Sequence, residues 1–254
     1  MNKLQLFTPP IAAPPWTTLG KRLESMLRKA LLSADMIGDQ RQIGVALSGG
    51  KDSLTLLYLL HAVSGRGFPS FSLTCFYVTG EYSCGAKVAD TYLQGICDAL
   101  GVELVVLEST QKLETLECYR CSRERRSLIF EAAKKKGITT VAFGHHRDDS
   151  IETLLLNLFH KGEFAGNLPK VPMVDYGVTI IRPLILIPEA DIQSFAKLYH
   201  FYRITCECPV GQRSKRNDVN ALIDQIERVF PNIRVNLAHA STHYGSSKAL
   251  TPSS

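Results

Sequence analysis

The sequence predicts an α/β fold: a doubly wound parallel sheet with helices on both faces. Short apolar runs alternate along the chain with segments whose apolar residues recur at helical spacing. The run IGVAL (43–47) is continuously apolar, as expected for a parallel strand covered on both sides. With 254 residues, of which 45% are hydrophobic and 21% charged, the chain has enough apolar material for one or two domains.

The N-terminal third begins the alternation of elements. Residues 1–16, with two Pro-Pro pairs, form an irregular arm, and residues 17–35 have the apolar spacing of an amphipathic helix. The strand at 43–47 leads into a leucine-rich helix at 52–63, and a second strand follows at 71–78.

The central part continues the same pattern. A helix at 86–101 ends at a glycine, and a third strand covers 102–108. The segment 122–137 has lysines in its last turn and a glycine stop, which the helix dipole favours. A fourth strand at 139–144 precedes a helix at 148–160.

Beyond residue 161 the pattern is less regular. A loop rich in Gly and Pro precedes the apolar run VTIIRPLILI, and a helix is expected at about 188–200. Residues 211–230 indicate a basic, amphipathic helix, and the tail from residue 240 has the composition of a disordered segment. The expected parts are an arm (1–16), a ligand-binding domain (17–210) and a basic C-terminal helix with a flexible tail (211–254).

The charge balance is mildly basic, with 29 Lys and Arg against 24 Asp and Glu. A formal charge of +5 is compatible with a nucleic-acid partner without requiring one. No segment approaches the roughly 18 to 20 apolar residues needed to cross a bilayer, and the first 16 residues do not resemble a signal peptide. We therefore expect a cytoplasmic protein without a membrane partner.

The segment LSGGKDSLTLL (47–57) is the strongest indication of a binding site. It fits neither the Walker motif, since Val45 replaces the first glycine, nor the dinucleotide fingerprint. Adjacent glycines let backbone N–H groups surround an anion, and the positive end of the next helix points at the same place. Asp52 indicates a nearby Mg²⁺ or a helix cap; the alternative for the whole segment is a turn that binds nothing. The predicted phosphate-binding residues are Ser48, Gly49, Gly50, Lys51, Asp52 and Ser53.

A strand followed by SGGKDS resembles the signature of the PP-loop ATP pyrophosphatases. The resemblance implies that the loop holds the pyrophosphate of ATP, which is cleaved between its α and β phosphates. It also implies transfer of AMP to a carbonyl oxygen, which becomes a leaving group for a nucleophile. Residues 17–210 would then form a PP-loop ATP-binding domain.

A second signature, GHHRDDSIETLLLN (144–157), follows the fourth predicted strand. Gly144 is expected to let the chain turn at the edge of the sheet and is counted among the residues that bind the nucleotide. Asp148 and Asp149 suit coordination of Mg²⁺ or activation of the acceptor, and we favour them over the two histidines. The alternative is a solvated turn that caps a helix. The predicted catalytic residues are Lys51, Asp52, Asp148 and Asp149.

Seven cysteines, an odd number, do not suggest a disulfide framework. Cys75 and Cys97 lie in apolar patterns and are expected in the core. Cys118 and Cys121 are three residues apart at the start of a helix, so both thiols can reach one metal. A further cluster follows in TCEC (205–208), and the alternatives are a structural zinc site of four cysteines, a redox pair and free thiols.

The stretch from about 20 to 230 resembles the bacterial tRNA 2-thiocytidine synthetases. CYRCSRERRS, GHHRDD, IIRPL and the late cysteines occur in that family's order. The resemblance implies a [4Fe-4S] cluster on three cysteines, whose open iron carries sulfur to the activated base. The family's late cluster is C-x-x-C, whereas this chain has C-E-C. Because Cys206 keeps its spacing from IIRPL and from Gly211-Gln212, the implied ligands are Cys118, Cys121 and Cys206, and not Cys208.

Two basic segments follow the cysteine clusters and predict contacts with RNA phosphates around the metal site. A loop base would have to be splayed into the pocket, and the alternative for each arginine is a solvated helix face. The predicted RNA-binding residues are Arg120, Arg123, Arg125, Arg126, Arg213, Lys215 and Arg216.

Together these features predict an ATP-dependent tRNA thiolase. By resemblance its product is 2-thiocytidine at position 32 of the anticodon loop, its sulfur donor a cysteine desulfurase, and its assembly a possible homodimer. The alternatives are a PP-loop amidating ligase, similar to lysidine synthetase, and a zinc-containing tRNA-binding protein without catalysis.

Overall fold

The structure is a computed structural model that describes residues 9–80, 86–111, 118–201 and 215–245. The helices of these residues are α1 (Thr18–Ser33), α2 (Lys51–Val63), α3 (Ala86–Leu100), α4 (Cys118–Lys135), α5 (Arg147–Lys161), α6 (Glu189–Leu198), α7 (Lys215–Val229) and α8 (Ile233–Tyr244). The strands are β1 (Gln42–Ala46), β2 (Ser72–Thr79), β3 (Glu103–Glu108), β4 (Thr140–Ala142), β5 (Lys170–Met173) and β6 (Val178–Ile181). No helix in the described parts of the chain has both the length and the apolar character needed to cross a membrane.

The six strands form one sheet in the order β3-β2-β1-β4-β6-β5. All neighbours are parallel except β5, which runs antiparallel to β6. The chain builds outward from β1 through β2 to β3 and then returns to the other side of β1 with β4. This reversal leaves a crevice beyond the carboxyl ends of β1 and β4, where sheets of this type bind ligands. The predicted α/β fold is confirmed.

Apolar side chains cover both faces of the sheet. On one face, Val45 and Cys75 belong to the large core formed with α1, α2, α3 and α6. On the other face, Phe76 and Val141 pack with Phe130 of α4. The alternation from Cys75 to Phe76 follows from the two-residue period of a strand, so successive side chains of β2 enter different cores. Cys75 and Cys97 are buried in the first core, as the sequence predicts.

Three features differ from the expected elements. The loop predicted after residue 161 contains β5, whose pairing with β6 depends on tertiary contacts. Helix α4 begins at Cys118, four positions before the predicted start at 122. The expectation of a disordered tail from residue 240 is wrong as far as Tyr244, where α8 ends. The local sequence of α8 has no clear helical pattern. The helix is stabilised by packing against α5 and α7, which the sequence does not reveal.

The C-terminal helices dock on the helix that follows β4. Ile151 and Leu155 of α5 share a buried cluster with Val219 and Ile223 of α7, and Leu237 of α8 packs against it. The segment predicted to begin a separate part at 211 therefore continues, from α7 onward, into the same folded body. This docking brings α7 to the edge of the crevice.

Candidate active site

The loop between β1 and α2 is held in shape by its own serines. Ser48 Oγ lies 3.1 Å from Ser53 Oγ, and the Ser53 hydroxyl donates to the Gly50 carbonyl at 3.0 Å. Gly49 has a φ of +79°, a left-handed conformation that favours glycine. Gly50 is the N-cap of α2 and supplies no side-chain cap, so the first amides of the helix can donate to an anion.

Lys51 opens α2 and stands between two carboxylates. Its Nζ lies 3.0 Å from Asp52 Oδ1 and 2.9 Å from Glu189 Oε1. Burial alone would lower the pKa of Lys51, but the two carboxylates outweigh burial and raise it above its usual value. Lys51 is therefore a fixed cation at the start of the helix. Glu189 begins α6, and no local sequence signal marks it as part of the site.

Gly144 permits a close approach of two backbone segments. A Cβ atom at this position would lie 3.1 Å from both the Asp52 carbonyl carbon and the Ser53 nitrogen. Its φ is outside the left-handed range, so backbone conformation does not by itself require a glycine here. The missing side chain instead lets the end of β4 lie directly against the first turn of α2, which joins the two signatures.

Helix α5 begins with a reciprocal cap. His146 Nδ1 accepts from the Asp149 N–H at 3.3 Å, while Asp149 Oδ2 accepts from the His146 N–H at 2.9 Å. His146 Nε2 also lies 3.7 Å from Asp52 Oδ1. The buried imidazole of His146 thus connects the phosphate loop with Asp149, one of the predicted catalytic carboxylates, and Asp149 lines the crevice.

Asp148, the other predicted carboxylate, is oriented away from the crevice and is buried. Its Oδ2 accepts from the Glu189 N–H at 2.8 Å, and its Oδ1 accepts from Arg234 Nη1 at 3.0 Å. Arg234 also donates to Asp224 and Glu227 of α7. Asp148 therefore connects α5 with α6 and α8, a position suited to holding the site together.

Replacing Arg234 with methionine should lower the free energy of unfolding by about 3 kcal/mol, because Asp148 would keep its burial and lose its closest cation. Urea unfolding followed by circular dichroism measures the change. Arg228→Met, which alters an exposed arginine on α7, is the control and should cost less than about 0.5 kcal/mol. An equal decrease in the free energy of unfolding in both variants would show that the pair of Arg234 with Asp148 does not stabilise the fold.

The crevice is a cavity of about 560 Å³ that the two signatures share. The phosphate loop, the ends of β1, β2 and β4, and the faces of α4 and α5 contribute to its walls. Arg125 donates from Nη2 to the Val78 carbonyl at 2.9 Å, which fixes one guanidinium at its rim. The arginines that line the cavity are Arg125, Arg126, Arg182 and Arg216.

Two ionisable side chains that line the cavity, His145 and Arg182, were not predicted as site residues. Burial, together with the positive charges of three nearby arginines, lowers the pKa of His145 to about 3, so the imidazole is neutral. Burial and, to a smaller extent, the charge of Arg126 lower the pKa of Arg182 to about 10. Only the motif IIRPL pointed to Arg182, and the spacing within GHHRDD does not separate His145 from His146.

The structure places the predicted cysteines and basic residues unequally. Cys121 is a half-buried thiol on α4, one position before Ser122, which lines the cavity. Arg120 and Arg123 are exposed on the same helix. For Cys118 and Lys215 the structure describes only the backbone, at the starts of α4 and α7. Cys206, Cys208 and Arg213 lie outside the described residues.

The sheet order and the SGGKDS loop at its switch point define a PP-loop protein, and the family described as the PP-loop domain matches residues 18–225. Among curated proteins, a tRNA-cytidine(32) 2-sulfurtransferase of Xanthomonas euvesicatoria pv. vesicatoria is 34% identical over 87% of this chain and 75% of its own length. Another, from Cereibacter sphaeroides, is 32% identical over 96% of this chain and 87% of its own. The chain belongs to the tRNA-cytidine(32) 2-sulfurtransferase family of PP-loop enzymes.

A solved structure with the same fold is the U34-tRNA thiolase NcsA from Methanococcus maripaludis with its [4Fe-4S] cluster. It is 23% identical, superposes with a TM-score of 0.70, and the match covers 88% of this chain and 78% of that one. An NMN synthetase from Francisella tularensis matches with a TM-score of 0.51 and 16% identity, over 92% of this chain and 99% of that one. At these identities the likeness establishes the fold alone.

Proposed function

We propose that this protein is an ATP-dependent tRNA sulfurtransferase that converts a cytidine at position 32 of the anticodon loop to 2-thiocytidine. The observation that carries the proposal is one cavity lined by the phosphate loop, by Asp149 and by an arginine-rich face of α4. The names of the curated relatives support the reaction, and their identity of 32 to 34% over most of the chain supports the substrate.

In the first half of the reaction, the loop from Ser48 to Ser53 binds the β and γ phosphates of ATP through backbone amides and Lys51. The cytosine O2 oxygen attacks the α phosphorus, the bond to the β-phosphate oxygen breaks, and pyrophosphate leaves. Asp52 would hold Mg²⁺ there, since its carboxylate lines the cavity beside the loop and carboxylate oxygens are the ligands that Mg²⁺ prefers. Asp149, at the cavity wall, would orient the acceptor base.

In the second half, hydrosulfide adds to C2 of the base, AMP leaves with the former oxygen and the sulfur loses its proton, so that no change of oxidation state is needed. A [4Fe-4S] cluster with three protein ligands would supply an open iron that binds sulfur. Cys118 and Cys121 lie one helical turn apart at the start of α4, close to cavity-lining Ser122, and this placement suits two ligands of one cluster. Cys206 is proposed as the third ligand from its spacing in the sequence alone. The role of these cysteines would be to hold the cluster next to the activated base.

The tRNA would be held by basic side chains along α4 and at the start of α7. Arg125, Arg126 and Arg216 line the cavity, while Arg120 and Arg123 extend the basic surface outward. Such contacts bind phosphates regardless of sequence and weaken with salt. Arg213 and Lys215 are proposed to continue this surface. A cysteine desulfurase as sulfur donor and a homodimeric assembly stay predictions.

Deletion of the gene should remove 2-thiocytidine from total tRNA, as measured by nucleoside mass spectrometry, and the wild-type gene should restore it. A copy carrying Lys136→Ala, which alters only a surface pair with Glu103, should restore it equally well. Persistence of 2-thiocytidine together with loss of a lysine-modified nucleoside would replace this function by that of an amidating ligase.

A further inference from the structure

Two buried nitrogen atoms in the cavity have no hydrogen-bond partner among the residues that the structure describes. They are Nδ1 of His145 and Nε of Arg182. Both side chains line the cavity, and the His145 ring is stacked on Phe143 with 5.9 Å between centroids. Buried polar groups are almost always paired in folded proteins, so two unpaired groups in one cavity indicate a missing partner.

The charges around Arg182 indicate what that partner is. Its Nη1 donates to the Leu168 carbonyl at 2.5 Å, and no carboxylate of the described residues lies within ion-pair distance. Arg126 and Arg216 add positive charge near His145, while Arg182 is affected by the like charge of Arg126 and the opposite charge of Asp149. A buried guanidinium among like charges is unfavourable until an anion binds, and guanidinium geometry matches phosphate oxygens in particular.

The position of the two side chains separates them from the phosphate loop. The loop follows β1, His145 follows the adjacent strand β4, and Arg182 follows β6, the next strand in the sheet. Neighbouring strands are roughly 4.8 Å apart, so β6 lies about 10 Å from β1. An anion bound between His145 and Arg182 is therefore within the same cavity but is displaced from the pyrophosphate that the loop would hold.

We propose that His145 and Arg182 form a second anion subsite, which binds a phosphoryl group of the substrates. Arg182 supplies charge and one donor, and the neutral imidazole of His145 supplies another donor without adding to the positive charge. The phosphoryl group belongs either to the AMP half of ATP or to a phosphodiester of the RNA. The identity of that source rests on the proposed function, whereas the subsite itself rests on the unpaired atoms.

The test compares paired variants at each position in the full-length protein. Arg182→Met removes the charge, and Arg182→Lys restores it. His145→Phe keeps the ring on Phe143 and removes both nitrogens, while His145→Asn keeps a donor near the position of Nδ1. Arg22→Met, on a surface pair with Asp191, is the control. Titration calorimetry measures the affinity of each variant for AMP, for pyrophosphate and for unmodified tRNA in separate experiments.

We expect Arg182→Met and His145→Phe to weaken AMP binding by about 10- to 100-fold, with partial recovery in the Lys and Asn variants. Pyrophosphate binding should be unchanged, since the loop is intact. Weakened tRNA binding with unchanged AMP binding would instead assign the subsite to the RNA backbone. The rise in melting temperature that each ligand produces should change in the same variants and for the same ligands. This measurement distinguishes a variant that no longer folds from one that folds but binds more weakly.

Unchanged affinity for both AMP and tRNA in both variants would overturn the proposal. Equal weakening of pyrophosphate and AMP would also overturn it, because Arg182 would then belong to the phosphate loop. Formation of 2-thiocytidine is measured separately in the wild type. If AMP binding depends on Arg182 but another product forms, the subsite stands and the proposed function falls.

Discussion

Replacing Lys51 with alanine is expected to lower tRNA-dependent pyrophosphate release by about 100-fold or more, with the fold retained. Lys51 is the cation at the start of α2, and without it Asp52 and Glu189 would face the incoming phosphates unneutralised. Both the attraction for ATP and the stabilisation of the leaving pyrophosphate would be lost. A coupled assay of pyrophosphate release under single-turnover conditions measures the effect.

The matched control is Lys136→Ala, which removes a lysine paired with one carboxylate on the surface. Its rate should equal that of the wild type. Glu189→Gln adds a finer comparison, because it leaves Lys51 in place and removes one of its two anionic partners. We expect that variant to retain more activity than Lys51→Ala. Release of ADP and phosphate by the wild type would contradict cleavage between the α and β phosphates.

Serine at Cys118, Cys121 or Cys206 is expected to abolish the cluster, whereas Cys208→Ser should retain it. Anaerobic reconstitution of the wild type should give a brown protein with roughly four iron atoms per chain. Cys118 and Cys121 are three positions apart at the start of α4, a rise of about 4.5 Å on one helical face, so we expect both to be needed to anchor the same cluster. The third ligand is assigned by spacing, and Cys208→Ser is the matched control.

Iron content and visible absorption distinguish the possible ligand sets. Loss of the cluster in Cys208→Ser together with its retention in Cys206→Ser would make Cys208, and not Cys206, the third ligand. Equal loss at all four positions would indicate a closed site of four cysteines, which leaves no iron open for sulfur. A colourless protein that binds zinc at the same cysteines would support the zinc-containing alternative.

Local signals in the sequence were sufficient for most of the fold. The apolar run of β1, the glycines of the loop and the lysines ending α4 each act through neighbours in the chain, so spacing alone predicts them. Helix α8 and strand β5 escaped prediction because long-range packing and pairing form them. Propensity is a weak guide where tertiary contacts decide.

The candidate site was predictable only in part for the same reason. The loop carrying Lys51 is marked by a motif, whereas Glu189 reaches Lys51 only because α6 returns to the sheet edge. Asp148 and Asp149 are adjacent in sequence, and only the fold separates the one that contacts Arg234 from the one that lines the cavity. The sequence singles out Gly144, but its close approach to the backbone of α2 follows only from the three-dimensional fold.

The bond between Arg234 and Asp148 has a consequence during biosynthesis. Arg234 follows Asp148 by 86 positions in the sequence, and the phosphate loop precedes both. Because a ribosome synthesises the chain from its N-terminus, the phosphate loop is exposed well before the residue that pairs with Asp148. The contact that joins α5 to α8 therefore forms later in synthesis than the loop itself.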